Sequence, residues 1–128
     1  MDDKKMKKIL LVEDDPMLID IYTTKLKEQG FNPVVRENGK EILEAIEREK
    51  PDLIVLDIVL PYLDGWEILG KIKSEENSKD IPVIILSNLG QKEDIDRGFE
   101  MGVARYLIKA HHTPSEVATE IRDVLGSQ

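Results

Sequence analysis

The sequence predicts a doubly wound α/β fold with a five-stranded parallel sheet of strand order 2-1-3-4-5 and five helices. Short apolar runs alternate along the chain with segments whose apolar residues have helical spacing. Runs such as Ile-Leu-Leu-Val and Leu-Ile-Val-Leu are apolar throughout, which is typical of parallel strands buried on both faces. Strict alternation of strand and helix favours right-handed crossover connections within one sheet.

The predicted strands are short β-branched or aliphatic runs. They are Lys8–Val12, Asn32–Arg36, Leu53–Asp57, Pro82–Ser87 and Arg105–Ile108. Between and after them, apolar residues recur at three and four positions, as expected of amphipathic helices. These residues are Leu18, Ile21, Tyr22, Leu26, Ile42, Leu43, Ile46, Ile68, Leu69, Ile72, Val117, Ile121, Val124 and Leu125.

Cap residues mark the ends of the first and last helices. Asp15 offers an N-cap followed by Pro16 at the first helical position, and Gly30 is expected to end that helix. The segment 113–116, Thr-Pro-Ser-Glu, has the spacing of a capping box. We expect the last helix to end near Gly126.

Composition argues against a nucleic-acid-binding surface. The net charge is −8, whereas phosphate contacts need clustered lysine and arginine. We interpret the basic start as a solvated approach to the first strand; its residues are Lys4, Lys5, Lys7 and Lys8. The chain has no cysteine, which excludes disulfides, thiolate metal sites and a thiol nucleophile. No apolar stretch approaches the roughly 20 residues of a membrane span, and the start lacks a signal-peptide core, so we expect a cytoplasmic protein.

Three acidic residues follow the ends of predicted strands. Glu13 and Asp14 come directly after the first strand, and Asp57 closes the third. In open α/β sheets ligands bind beyond the carboxyl ends of the strands, and neighbouring strands are about 5 Å apart. Carboxylates so close need compensating charge, which Lys109 at the end of the fifth strand and a divalent cation can supply. Mg²⁺ fits this oxygen-rich site best, with Mn²⁺ as a possible substitute.

A solvated acidic helix start, favoured by the helix dipole, is the alternative interpretation of Glu13 and Asp14. Asp57 favours the metal site, because a carboxylate that ends a buried apolar run is hard to explain as surface decoration. Such a carboxylate can attack phosphorus and form an acyl phosphate. Lys109 would then pair with the phosphate, and the Ser87 hydroxyl could bond a phosphoryl oxygen.

These residues resemble the receiver domain of two-component response regulators, in its single-domain form similar to chemotaxis regulators, with a flavodoxin-like sheet. The resemblance covers Lys8 to Leu125 and implies that residues 1–128 form one receiver domain with no output domain. The residues that carry it are Leu11, Val12, Glu13, Asp14, Asp15, Asp57, Pro61, Gly65, Ser87, Tyr106, Leu107, Ile108 and Lys109.

The resemblance implies a phosphorylation switch and not an enzyme, apart from self-phosphorylation from a donor and slow self-dephosphorylation. A histidine kinase or phosphotransfer protein would supply the phosphoryl group, and small phosphodonors could substitute. The implied site is Asp57 as phospho-acceptor; Glu13, Asp14, Asp57 and the Val59 carbonyl around Mg²⁺; Ser87, Asn88 and Lys109 as phosphate partners; and Tyr106 as the aromatic residue that turns inward on activation.

Three departures from the family pattern alter these expectations. Ala110 follows Lys109 where proline is common, and a cis bond before alanine costs about 2.5–4 kcal/mol, so we expect a trans bond. Asn88 stands where a small residue is typical and is expected to narrow phosphodonor access. Val59 and Leu89 occupy positions that tune hydrolysis, and neither can orient water. We therefore predict a long-lived phosphoaspartate.

In the predicted switch, Ser87 moves toward the phosphoryl group and Tyr106 fills the space that the loop 87–91 vacates. The change would alter the face of the fourth helix, fifth strand and fifth helix, and so regulate an unknown downstream protein or a phosphorelay. A half-buried tyrosine with its hydroxyl in water is the alternative for Tyr106. We expect a monomer or a weak phosphorylation-dependent dimer.

Three rival functions are weighed against this one. A phosphohydrolase of the haloacid dehalogenase type needs a second aspartate where Val59 stands, so turnover would lack its proton shuttle. In a flavodoxin-type flavin module, Glu13 and Asp14 would repel the phosphate. A degenerate receiver that acts as a scaffold without phosphorylation is favoured only by Ala110 and Asn88.

Overall fold

A five-stranded parallel sheet organises the chain, for which the computed structural model describes residues 6–61 and 63–126. Its strand order is 2-1-3-4-5, and all four neighbouring pairs are parallel, so the predicted sheet is confirmed. The strands are β1 (Lys8–Val12), β2 (Asn32–Arg36), β3 (Leu53–Leu56), β4 (Val83–Ser87) and β5 (Arg105–Ile108).

Five helices complete the doubly wound architecture, as predicted. They are α1 (Pro16–Glu28), α2 (Gly39–Glu49), α3 (Gly65–Ser74), α4 (Lys92–Glu100) and α5 (Pro114–Gly126). Two apolar clusters hold four of these helices to the sheet. One joins one face of the sheet to α2 and α3, and the other joins the opposite face to α1 and α5.

The two clusters explain why the strand runs are apolar throughout. In β1, Leu10 and Val12 belong to the first cluster, and Ile9 and Leu11 belong to the second; each side chain is at most 1% exposed. Successive strand residues face opposite sides of a sheet, so a sheet covered on both sides needs an apolar residue at every position.

The predicted caps are present at both terminal helices. The Asp15 carboxylate accepts hydrogen bonds from the backbone N–H groups of Met17 and Leu18, at 2.9 and 3.4 Å. At α5, the Thr113 hydroxyl accepts from the Glu116 N–H, and the Glu116 carboxylate accepts from the Thr113 N–H. Both arrangements satisfy helical donors that have no partner within the helix.

The structure departs from the predicted elements in small ways. Asp57 and Pro82 lie just outside β3 and β4. A two-residue antiparallel ladder, Val59–Leu60 with Leu63–Asp64, connects β3 to α3, and residues 109–111 form a 3₁₀ turn after β5.

The predicted basic lead-in is only partly within the described residues, because Lys4 and Lys5 lie outside them. Lys8 belongs to β1, and its ammonium group donates to the Glu49 carboxylate at 2.9 Å, so it is not simply solvated. Within the described ranges, no helix is long and apolar enough to cross a membrane.

Candidate functional site

The pairing of β1 with β3 brings the acidic residues together. Val12 pairs with Leu56, so Glu13 and Asp57 follow at the same edge of the sheet. The Asp57 N–H donates to the Val12 carbonyl at 3.1 Å and extends the parallel ladder by one step. Glu13 is 1% exposed and Asp57 is 5% exposed, so both carboxylates are buried at this edge.

Lys109 bridges these two carboxylates. Its ammonium nitrogen lies 2.7 Å from Glu13 Oε1 and 2.6 Å from Asp57 Oδ2. Burial alone would lower the pKa of the Lys109 amine, but the hydrogen bonds to Asp57 and Glu13 outweigh it and raise that pKa above its usual range. The Lys109 ammonium group therefore stays charged at neutral pH.

Backbone N–H groups bind the remaining carboxylate oxygens. Glu13 Oε2 accepts from the N–H groups of Asp14 and Asp15, at 3.2 and 3.1 Å. Asp57 Oδ1 accepts from the Val59 N–H at 3.0 Å. These bonds fix the direction of each carboxylate, because one oxygen accepts from backbone N–H groups and the other accepts from the Lys109 ammonium.

The acidic cluster suits a divalent metal ion. One carboxylate oxygen from each of Glu13, Asp14 and Asp57 lies within 4.8 Å of the others. Hard cations such as Mg²⁺ and Mn²⁺ prefer oxygen ligands, and three carboxylates beside one ammonium leave negative charge for such a cation to balance. Asp15 caps α1 and has the structural role that the sequence predicts.

The predicted site residues other than Tyr106 surround one open cavity of about 510 Å³. It is lined by Glu13, Asp14, Asp15, Leu18, Asp57, Val59, Ser87, Asn88, Leu89 and Lys109. Ser87 is fully buried at the end of β4, and its hydroxyl accepts a hydrogen bond from the Leu89 N–H at 3.2 Å. The Val59 side chain is 60% exposed and lines the same cavity, so the cavity entrance is apolar on that side.

Tyr106 is not part of this cavity, but it contacts the loop that follows β4. Its hydroxyl donates a short hydrogen bond to the Leu89 carbonyl. The alternative of a tyrosine with its hydroxyl in water is therefore wrong. A Cβ built on Gly98 of α4 would lie 2.9 Å from the ring, so the glycine makes room for it. Burial, with the nearby charges of Asp94 and Asp57, raises the pKa of the Tyr106 phenol to about 12.

Two backbone features near the site are absent from the sequence predictions. The Asn88 amide oxygen accepts a hydrogen bond from the Ala110 N–H at 3.1 Å, which joins two of the residues that depart from the family pattern. No peptide bond in the described part of the chain is cis, so the bond between Lys109 and Ala110 is trans, as expected. Gly65 lies so close to Ile58 that its N–H donates to the Ile58 carbonyl at 3.2 Å.

Comparison with known proteins identifies the family. The model of the response regulator receiver domain matches residues 9–122, so the chain belongs to that family. Membership makes the matched domain a phosphoacceptor switch of two-component signalling rather than a catalytic domain, and it implies a histidine kinase as donor. The rival phosphohydrolase and flavin-binding interpretations are thereby set aside.

Individual relatives agree with this assignment. A probable transcriptional regulator, ycf27 of Pyropia yezoensis, is 35% identical over 123 residues, which are 96% of this chain and 49% of the relative. The chain thus spans about half the length of the curated relatives that it matches. The BeF₃-activated receiver domain of Klebsiella pneumoniae RstA is 31% identical with a TM-score of 0.84, covering 93% of this chain and 98% of that one.

One structural relative has been solved with a divalent metal ion bound. The Mn²⁺-bound form of the response regulator Rcp1 is 28% identical to this chain with a TM-score of 0.77. The matched region covers 92% of this chain and 91% of that one.

Proposed function

We propose that the protein accepts a phosphoryl group on Asp57 from a histidine kinase or histidine phosphotransfer protein and so changes its affinity for a partner. The observation that carries the proposal is the placement of Asp57: a buried carboxylate at the edge of an open cavity, hydrogen-bonded to Lys109 and adjacent to Glu13 and Asp14. Titratable side chains that are buried in a cleft beside a specific charge partner are candidates for functional sites.

The transfer needs one nucleophile and one leaving group. An Asp57 carboxylate oxygen attacks phosphorus, and the new O–P bond forms as the N–P bond of the donor phosphohistidine breaks and the imidazole leaves. The Val59 N–H at Oδ1 and the Lys109 ammonium at Oδ2 hold the carboxylate so that it faces the cavity. A carboxylate already held in this direction loses less orientational entropy on reaching the transition state.

Glu13, Asp14, Asp57 and the Val59 carbonyl are the groups that would hold Mg²⁺. Their chemistry fits that ion, because the three carboxylates offer oxygen ligands within 4.8 Å of one another. When bound, the ion offsets negative charge on the incoming phosphoryl group. Rcp1 has been solved in a Mn²⁺-bound form, which supports Mn²⁺ as a substitute here.

Phosphorylation would rearrange the contacts between β4 and β5. Lys109 can turn from Glu13 toward a phosphoryl oxygen, and the Ser87 hydroxyl can donate to another. Moving Ser87 disturbs its bond with the Leu89 N–H, and Leu89 is also the acceptor of the Tyr106 hydroxyl. The signal would thus reach the face formed by α4, β5 and α5, where a downstream protein binds.

The output of the switch is part of the same proposal. We propose that residues 1–128 act as one receiver domain in the cytoplasm, without direct contact to nucleic acid, as a monomer or a weak phosphorylation-dependent dimer. The net charge of −8 supports a protein partner over nucleic acid. The name of the ycf27 relative refers to transcriptional regulation, and that role belongs to the longer relative.

Intact-mass spectrometry with a small phosphodonor tests the proposal. The protein is incubated with acetyl phosphate and Mg²⁺, in parallel with Asp57→Asn and with Asp52→Asn as a matched control. We expect one added phosphoryl group in the wild type and the control and none in Asp57→Asn. Equal labelling of Asp57→Asn would show that another residue is the acceptor, and turnover of a phosphomonoester would favour hydrolase activity.

A further inference from the structure

Two hydrogen bonds connect the loop that follows β4 with β5 and with the turn that follows β5. Their donors lie on either side of Lys109 in the sequence. Before Lys109, the Tyr106 hydroxyl donates to the Leu89 carbonyl. After Lys109, the Ala110 N–H donates to the Asn88 amide oxygen at 3.1 Å. Lys109 therefore lies between two residues that are hydrogen-bonded to consecutive residues, Asn88 and Leu89, of the neighbouring loop.

The Ala110 N–H has no donor role within its own turn. Residues 109–111 form a single 3₁₀ turn, and the first N–H groups of any helix lack intrahelical acceptors. Ile108 precedes the turn, and its apolar side chain cannot cap it. Asn88, which is 22 positions earlier in the chain, supplies the missing acceptor and acts as a cap from another loop.

We propose that Asn88 is a positioning residue for Lys109: it holds the backbone just beyond Lys109 so that the ammonium stays directed at Asp57. The inference rests on the proposed function, because it concerns the cation that pairs with the phosphoryl group. Lysine has a flexible four-carbon stem, so the region that its ammonium group can reach is set by where its backbone is anchored. The role differs from the expectation that Asn88 merely narrows phosphodonor access.

Side chains of matched size separate the two roles of Asn88. Asn88→Leu keeps the bulk and removes the acceptor, whereas Asn88→Ala removes both. If Asn88 positions Lys109, both variants are phosphorylated by acetyl phosphate about three- to tenfold more slowly at saturating Mg²⁺, the size expected for one modest hydrogen bond. If Asn88 only narrows access, Asn88→Leu matches the wild type and Asn88→Ala is faster, and the inference is overturned.

A double-mutant cycle with Lys109→Ala shows whether Asn88 acts through Lys109. Residual phosphorylation of Lys109→Ala should not slow further when Asn88→Leu is added, because the group being positioned is gone. A purely structural role for Asn88 would slow the reaction by the same factor in both backgrounds, which contradicts the inference. Urea unfolding of each variant verifies that all four proteins are folded.

The hydrogen bond itself is measured in the metal-free protein by NMR. In the wild type, the Ala110 amide should have the small temperature coefficient of a hydrogen-bonded N–H, and Asn88→Leu should raise that coefficient toward the value for a water-exposed amide. An unchanged coefficient would overturn the inference alone. Absence of phosphorylation in the wild type would overturn the proposed function, and the inference with it.

Discussion

Substituting alanine for Gly65 inserts a methyl group between two backbone segments beside the site. A Cβ built on Gly65 would lie 2.4 Å from the Ile58 carbonyl oxygen and 2.5 Å from the Ile58 Cα, whereas real Cβ contacts stay beyond 3.0 Å. The segments must separate by at least 0.6 Å, and both are backbone, so no side chain can rotate away. The separation also strains the hydrogen bond from the Gly65 N–H to the Ile58 carbonyl.

We expect Gly65→Ala to lower the free energy of unfolding by about 2–4 kcal/mol, from overpacking and a weakened buried hydrogen bond. With a urea m-value of about 2 kcal/mol/M, the middle of the usual range, the unfolding midpoint falls by about 1–2 M. Gly70→Ala is the control in the same helix, because its Cβ meets only Met101 Cε at 3.8 Å. It should stabilise by about 0.5–1 kcal/mol. A Gly65→Ala midpoint within about 0.3 M of the wild type would refute the reasoning.

Three further changes probe the site. Lys109→Ala leaves two buried carboxylates without their shared cation, so we expect the free energy of unfolding of the metal-free protein to fall by about 3–5 kcal/mol. Mg²⁺ should recover part of this loss, and calorimetry that finds no metal dependence would contradict the prediction. The raised pKa of Tyr106 means that its contribution to stability is complete below pH 10 and is lost as pH rises toward 12. Tyr106→Phe should remove this loss from the pH dependence of unfolding, and an identical profile would argue against it. Since Val59 and Leu89 cannot orient water, the phosphoaspartate should last for many minutes and Val59→Asn should shorten its life; a wild-type half-life of seconds would contradict the prediction.

The sheet and the convergence of the acidic residues follow from the sequence because both depend on periodicity and strand ends. Buried parallel strands are apolar at every position, so the runs around Leu10 and Val55 stand out from their surroundings. Once the strand order is predicted, the residues that follow β1 and β3 must lie near one another. The position of Glu13 beside Asp57 therefore needs no side-chain information.

Contacts between loops could not be predicted in the same way. The hydrogen bond from the Ala110 N–H to Asn88 joins residues 22 positions apart. Neither residue belongs to a sequence pattern that predicts this contact. The ladder of Val59–Leu60 with Leu63–Asp64 is too short to show a period of two. Such contacts depend on how packed elements meet, which tertiary structure decides.

The fourth helix illustrates the limit of periodicity. Its sequence has few apolar residues, and Gly98 is its one buried residue among those described. Phe99 is 50% exposed, so the apolar pattern does not mark the face that contacts the sheet. Alternation of strands and helices predicts that α4 exists, but its packing against Tyr106 depends on the absence of a side chain at Gly98.

The proposed switch requires one pocket that both holds a divalent cation and presents Asp57 to phosphorus. A crystal structure with Mn²⁺ and beryllofluoride tests this directly, because anomalous scattering locates the metal. We predict manganese within the cluster of Glu13, Asp14 and Asp57, beryllium bonded to an Asp57 carboxylate oxygen, and fluorine atoms contacting Lys109 and Ser87. Manganese bound elsewhere, or an Asp57 carboxylate that remains unmodified at saturating beryllofluoride, would contradict it.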